Sequence, residues 1–223
     1  MSPGPELEGP ERPPASGRAP SGLVVMLHGV GADGNDLIEL AGSWQRLLPE
    51  CHFIAPHAPE RYDMAPIGYQ WFSLRVRTPE ALLDGLRRVA PVVERFLDAQ
   101  LARFGLDDKR LALVGFSQGA MVSLYVAPRR PKRLAGVVGY SGALVGMDVL
   151  AREVKSKPPI LLVHGDRDEL VPLPALHGAV AALGQAGLSV EWHVSQGAGH
   201  GIAPDGLRLG GAFLARVLNG GPS

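Results

Sequence analysis

A chain of 223 residues, 46% of them hydrophobic, is long enough for one α/β domain with a large core and short for two. Lysine plus arginine and aspartate plus glutamate both number 22, so the net charge is zero; no block of like charge argues for nucleic acid or an anionic membrane, and a small neutral partner is expected. The single cysteine, Cys51, excludes an internal disulfide and reads as a small buried apolar residue, and no histidine or cysteine spacing suggests a metal.

Residues 1–22 are dense in proline, glycine, serine and charge without apolar periodicity. Such a stretch cannot bury enough surface to order itself, so a disordered tail is expected there and a single domain over residues 23–223. It lacks the basic start and apolar centre of a secretory leader, and no later stretch is apolar enough to cross a bilayer, so a cytoplasmic location without integral membrane association is expected. Residues 23–27, Leu-Val-Val-Met-Leu, form a continuous apolar run, the pattern of a parallel strand covered on both faces. The loop that follows has glycines at 29, 31 and 34, with Asn35 or Asp36 as candidate caps for a helix over 37–48. It lacks the Gly-Lys-Ser/Thr ending of a phosphate loop, and a loop that stabilises an oxyanion is the better reading.

A second strand over 52–55 runs into a proline-rich stretch, 56–66, that can be neither helix nor interior strand. Tyr69, Trp71 and Phe72 then stand in a loop, either as a plug for the edge of the core or as walls for an apolar substrate. Thr78 and Pro79 open a long helix to about Phe104, whose Leu82, Leu86, Val89, Val93, Phe96 and Leu97 recur at helical spacing. Further strands are expected over 111–114, 134–140, 160–163 and 190–194, with helices over 120–127, 173–186 and 204–218; the basic run 129–133 reads as a solvated face. Strands alternating with helices imply a mostly parallel central sheet with helices on both faces and no large cap domain.

Between the strand at 111–114 and the next helix lies Gly115-Phe116-Ser117-Gln118-Gly119, a G-x-S-x-G turn that forces its serine into a strained conformation above the sheet. A serine nucleophile needs a base in contact, and a neutral imidazole needs an acceptor behind it to fix its tautomer. Because functional groups gather beyond the carboxyl ends of parallel strands, His28, His164 and His200 are the candidate bases. His28 and His164 sit at strand ends in His-Gly pairs that suit loop geometry. His200 follows the last strand, is flanked by glycines, and comes after both candidate acids, Asp166 and Asp168. Spacing alone does not choose between those two.

Leu27-His28-Gly29-Val30-Gly31, Trp71-Phe72, the elbow around Ser117, the segment from His164 to Pro172 and Gly199-His200 together resemble the phospholipase/carboxylesterase family of α/β-hydrolases, which includes acyl-protein thioesterases. The resemblance runs from about residue 22 to the C-terminus. It implies Asp168 as the acid, the backbone N–H groups of Val30 and Gln118 as the oxyanion hole, and Trp71 and Phe72 as substrate-binding residues. It also implies a serine hydrolase without cofactor. Acyl-protein thioesterases carry an acidic residue after their Trp-Phe pair where this chain has Ser73, and the loop after His28 is similar to that of bacterial carboxylesterases. The expected activity is hydrolysis of a small-molecule ester of short to medium acyl chain through a Ser117-Asp168-His200 triad, with thioesterase or lysophospholipase activity as the alternative and homodimerisation left open. A serine peptidase would need an additional domain to bind peptide, and a non-catalytic binding module would show a broken triad.

Overall fold

The computed structural model describes residues 6–220. Its centre is a seven-stranded sheet in the order β1-β3-β2-β6-β7-β8-β9, formed by Glu11–Arg12 (β1), Gly22–Leu27 (β2), Cys51–Ile54 (β3), Leu111–Phe116 (β6), Gly136–Tyr140 (β7), Ile160–Gly165 (β8) and Val190–Ser195 (β9). All neighbouring pairs are parallel except β1 with β3. A separate antiparallel pair, Glu60–Arg61 (β4) and Tyr69–Gln70 (β5), lies in the proline-rich segment.

Every residue of β2 is buried, yet its side chains still alternate. Leu23, Val25 and Leu27 pack into the core shared with the helices Pro79–Phe104 (α3), Gln118–Arg129 (α4), Met147–Glu153 (α5) and Pro174–Gln185 (α6). Val24 and Met26 point through the other face to Gly34–Ile38 (α1), Leu40–Trp44 (α2) and Pro204–Leu218 (α7). This is the two-fold strand period expressed as two cores, which is why the run shows no polar residue at all. Helix α3 begins as its sequence requires: Thr78 Oγ1 accepts the Ala81 N–H at 3.3 Å and Pro79 occupies the first turn. Its buried stripe includes Leu86, Val93 and Leu97, each of which contributes about 1.5–3 kcal/mol on leaving water.

Three expectations are corrected. The segment expected as a disordered tail is seated on the sheet edge from residue 6 onward, residues 1–5 lying outside the described residues. Leu7 is buried, β1 pairs with β3, the His57 N–H donates to Glu8 O at 2.8 Å, and the Glu11 carboxylate meets both His52 (2.9 Å) and Arg103 (2.7 Å). The segment has no core of its own; it borrows the free backbone edge of β3 and two side chains of the body. The helix expected over 37–48 is instead two short ones meeting at Glu39, capped by Asp33, whose Oδ1 accepts the Asn35 N–H at 2.7 Å.

The basic run is only half solvated. Lys132 and Arg133 are exposed, but Arg130 is buried against Asp98 and Asp108 (both 2.7 Å), and Arg129 is buried against Glu153 (2.7 Å). Their partners come from distant parts of the chain, so the cluster reads as surface in isolation. Helix α5 is a further element that carries no strong apolar period of its own.

Candidate active site

The strand β6 delivers Ser117 to the carboxyl edge of the sheet, and helix α4 starts one residue later. Ser117 has φ 53° and ψ −114°, a conformation that non-glycine residues occupy only under constraint. The constraint is close packing: a Cβ on Gly115 would lie 2.4 Å from Gly119 O, and one on Gly119 would lie 1.8 Å from Leu27 O. The two flanking glycines therefore let β6, α4 and the end of β2 approach one another, and the serine at the apex is left pointing out of the turn.

His200 sits on the loop between β9 and α7, its Nε2 3.0 Å from Ser117 Oγ and its Nδ1 2.8 Å from Asp168 Oδ2. The carboxylate fixes the ring: Nδ1–H donates to Asp168, which leaves the Nε2 lone pair facing the serine hydroxyl. Asp168 is buried, and its other oxygen accepts the N–H groups of Leu170 (3.0 Å) and Val171 (2.8 Å). Burial pushes this carboxyl up, but the Val171 N–H, His200 and the Leu170 N–H together outweigh burial and hold it below the usual carboxylate range. Asp166, the other candidate acid, points elsewhere: its Oδ1 accepts the Gly197 N–H at 2.6 Å. It ties the β8 turn to the loop that carries His200.

The two other strand-end histidines hold loops. His28 Nε2 accepts the Ala58 N–H at 3.0 Å while Nδ1–H donates to Gly29 O at 2.7 Å, so both ring nitrogens are spent and burial pulls its pKa down. His164 Nε2–H donates to Val171 O at 2.7 Å and lies 3.3 Å from Asp168 Oδ2. Ser141, at the end of β7, has φ 48° and donates to Gly201 O at 3.1 Å, holding the residue after His200. Its link to residue 201 lies outside any local pattern of the sequence.

Val30 and Gln118 both line the cavity beside Ser117, and among the described residues the backbone N–H of neither has a protein acceptor. Gln118 also acts through its side chain, which the sequence did not reveal: Oε1 accepts the Trp71 N–H at 2.9 Å and Nε2 donates to Phe72 O at 2.7 Å. Trp71 Nε1 in turn donates to His28 O at 2.9 Å. Trp71 and Phe72 are each 1% exposed and do not line the cavity. Their expected place as substrate walls is corrected to that of a core plug locking the loop after β2 to α4. Met64 and Ile67, in the same segment, are exposed and also absent from the lining. The apolar walls are Leu74, Leu82, Met121, Leu170 and Val171 around a cavity of about 270 Å³.

A sheet of this order, a strained serine at the end of its central strand, and a histidine and buried aspartate joined to it define an α/β-hydrolase, and with it a hydrolase of the serine class. The sequence profile of the Phospholipase/Carboxylesterase family matches residues 14–218, and the chain belongs to that family. It is similar to acyl-protein thioesterase 1 of Schizosaccharomyces pombe, 33% identical over 167 residues that cover 69% of this chain and 71% of the relative. Acyl-protein thioesterase 1 of Gibberella zeae is 26% identical over 214 residues, 87% of this chain and 90% of the relative. The crystal structure of esterase PE8 is 43% identical with a TM-score of 0.91 over 96% of this chain and 100% of the other. Arabidopsis thaliana SOBER1, at 22% identity and a TM-score of 0.76 over 88% of this chain and 99% of its own, shows the same fold. Among the described residues no helix is long and apolar enough to cross a membrane.

Proposed function

We propose that the protein is a carboxylesterase that hydrolyses short- to medium-chain acyl esters through a covalent acyl-enzyme. The observation that carries this reading is the unbroken hydrogen-bonded line from Ser117 Oγ through His200 to Asp168, at 3.0 and 2.8 Å. In the first half-reaction Ser117 Oγ attacks the ester carbonyl carbon and its proton passes to His200 Nε2, while the carbonyl oxygen takes the negative charge. The N–H groups of Val30 and Gln118 receive that oxyanion; the second of them stands at the first turn of α4, where the helix dipole adds to the effect. The alcohol leaves with the proton from Nε2. A water molecule, deprotonated by the same nitrogen, then attacks the acyl carbon and releases the acid. Asp168 keeps the ring oriented and balances the imidazolium that forms in each half.

A cavity of about 270 Å³ lies near the lower end of the ~300–1,000 Å³ usual for small-molecule sites, which supports a short or medium acyl chain. Each methylene accommodated there adds about 0.8 kcal/mol, or three- to fourfold in kcat/KM, until the apolar wall ends. The thioesterase names of the relatives support a second reading, hydrolysis of acyl thioesters by the same chemistry. One series tests both: pre-steady-state release of p-nitrophenol from esters from acetate to palmitate, beside matched S-acyl thioesters, followed by mass spectrometry after fluorophosphonate treatment. The expected result is a burst, a rise in kcat/KM over the first few carbons, and an adduct on Ser117. An adduct on Ser141, or a profile without a burst, overturns the assignment.

A further inference from the structure

Apart from His200, the cavity beside Ser117 carries a single ionisable side chain among the described residues, that of Arg77, on walls that are otherwise uncharged and mostly apolar. Arg77 precedes the cap of α3, and two features mark it off from Arg75 and Arg61, the two arginines that precede it most closely in the chain. Arg75 is committed to Asp63, 3.1 Å away, and Arg61 lies over the Tyr69 ring at 4.4 Å from its centroid. Arg77 has no carboxylate within ion-pair distance among the described residues. Its Nε donates to Leu74 O at 3.2 Å, which anchors the near side of the guanidinium to the cavity wall and leaves the two terminal nitrogens without a protein acceptor among the described residues.

A guanidinium held at its inner nitrogen presents its remaining donors as a fork, and a fork matches a carboxylate or phosphate far better than it matches a hydrocarbon. Its place is also telling. Leu74 and Leu82, on either side of it in sequence, supply apolar wall to the same cavity that Ser117 and His200 border. The zero net charge of the chain argues against a large anionic partner but says nothing about one group inside one cavity.

We propose that Arg77 is a specificity-determining residue and that the preferred substrate is an ester carrying an anionic group, carboxylate or phosphate, a few carbons from the scissile carbonyl. The inference rests on the esterase reading of the site. The anion belongs either to the acyl chain, as in the half-ester of a dicarboxylic acid, or to the alcohol. Because Arg77 is exposed, its attraction is partly screened, and a preference of about five- to tenfold is expected rather than an absolute requirement.

The test compares charged and neutral esters of matched length. One arm uses p-nitrophenyl hemisuccinate, hemiglutarate and hemiadipate against butyrate, valerate and hexanoate; the other uses the butyrate ester of 4-hydroxybenzoate against that of its methyl ester. The expected result is a charged-to-neutral ratio of kcat/KM of about five to ten in one arm, which names the side bearing the anion. The ratio should fall with added sodium chloride, and Arg77→Gln should bring it close to that of the high-salt wild type, with Arg77→Lys between the two. A wild-type enzyme that favours the neutral ester in both arms, or a ratio unmoved by Arg77→Gln, overturns the proposal while leaving the esterase reading in place. Failure to hydrolyse any ester of either arm overturns both.

Discussion

At Asp168 two carboxylate oxygens divide two tasks. Oδ1 accepts the Leu170 and Val171 N–H groups and so pins the acid to its own turn, while Oδ2 faces His200. Asp168→Asn keeps the first set of contacts but offers an amide toward the ring, which reverses the tautomer His200 needs. A fall in kcat of up to about 10⁴ is expected, with little change in KM. Asp166→Ala removes the acceptor for the Gly197 N–H, a loss of about 1 kcal/mol of loop stability that should appear mainly in the thermal midpoint. Steady-state kinetics and melting curves on the two variants separate the roles. If the Asp166 variant were the inactive one, the assignments would have to be exchanged. The choice between these residues was the least legible part of the site: both follow β8 closely, and only the path of the loop from β9 decides which one meets the ring.

At the level of elements, the loop bearing His200 is tied at both ends. Asp205, in the first turn of α7, accepts from Ser195 Oγ at 3.0 Å and pairs with His193 Nε2 at 2.7 Å, joining the end of β9 to the start of α7. The His193 hydrogen bond, chief among the causes, holds the Asp205 carboxyl down from 3.8 to about 2. A carboxyl held low binds its proton less readily in the folded chain than in the unfolded one. Its stabilisation is therefore complete above about pH 4 and is lost as the pH falls toward 2. Asp205→Asn should lower the melting temperature at neutral pH and make its decline between pH 4 and pH 2 shallower than in the wild type. Parallel declines would show that the tie does not titrate as argued.

The long elements were readable because their signals are local: apolar runs for β2, β6 and β8, a threonine cap with proline for α3, and proline followed by an apolar period for α7. Ser117 and His200 were readable for the same reason, each lying in a short glycine-bounded pattern beyond a strand. The failures have a common physical origin. Arg129 and Arg130 look solvated until Glu153, Asp98 and Asp108 arrive from elsewhere in the chain. Trp71 and Phe72 look like cavity walls until Gln118 turns their backbone inward. Arg77 was overlooked because nothing in its neighbourhood in sequence says that Met121 and Leu170 will stand on the same cavity.

Over the whole molecule, the sheet is fully flanked except at its borders, and the two borders are treated differently. On one side β9 closes the order with its own side chains half exposed. On the other, β1 and the residues before it cover β3, with Glu11 reaching across to Arg103 on α3. The strand it covers also carries the only sulfhydryl in the chain. Cys51 starts β3 opposite Gly22, and burial pushes its thiol up to about 12. Alkylating reagents take the thiolate, so this group reacts only in molecules that have opened around β3. The chain thus contains a chemical clock for one particular excursion from the native state, readable without any added probe. When closing is fast relative to alkylation, the rate of pulsed labelling measures the free energy of that excursion, and comparison with global unfolding in urea tells whether the border opens alone. Deleting residues 1–13 should accelerate labelling by about tenfold or more while the melting temperature changes by only a few degrees, as expected for an outer unit less stable than the centre. An unchanged labelling rate would mean that β3 is secured from the β2 side and that the N-terminal segment rests on it without holding it.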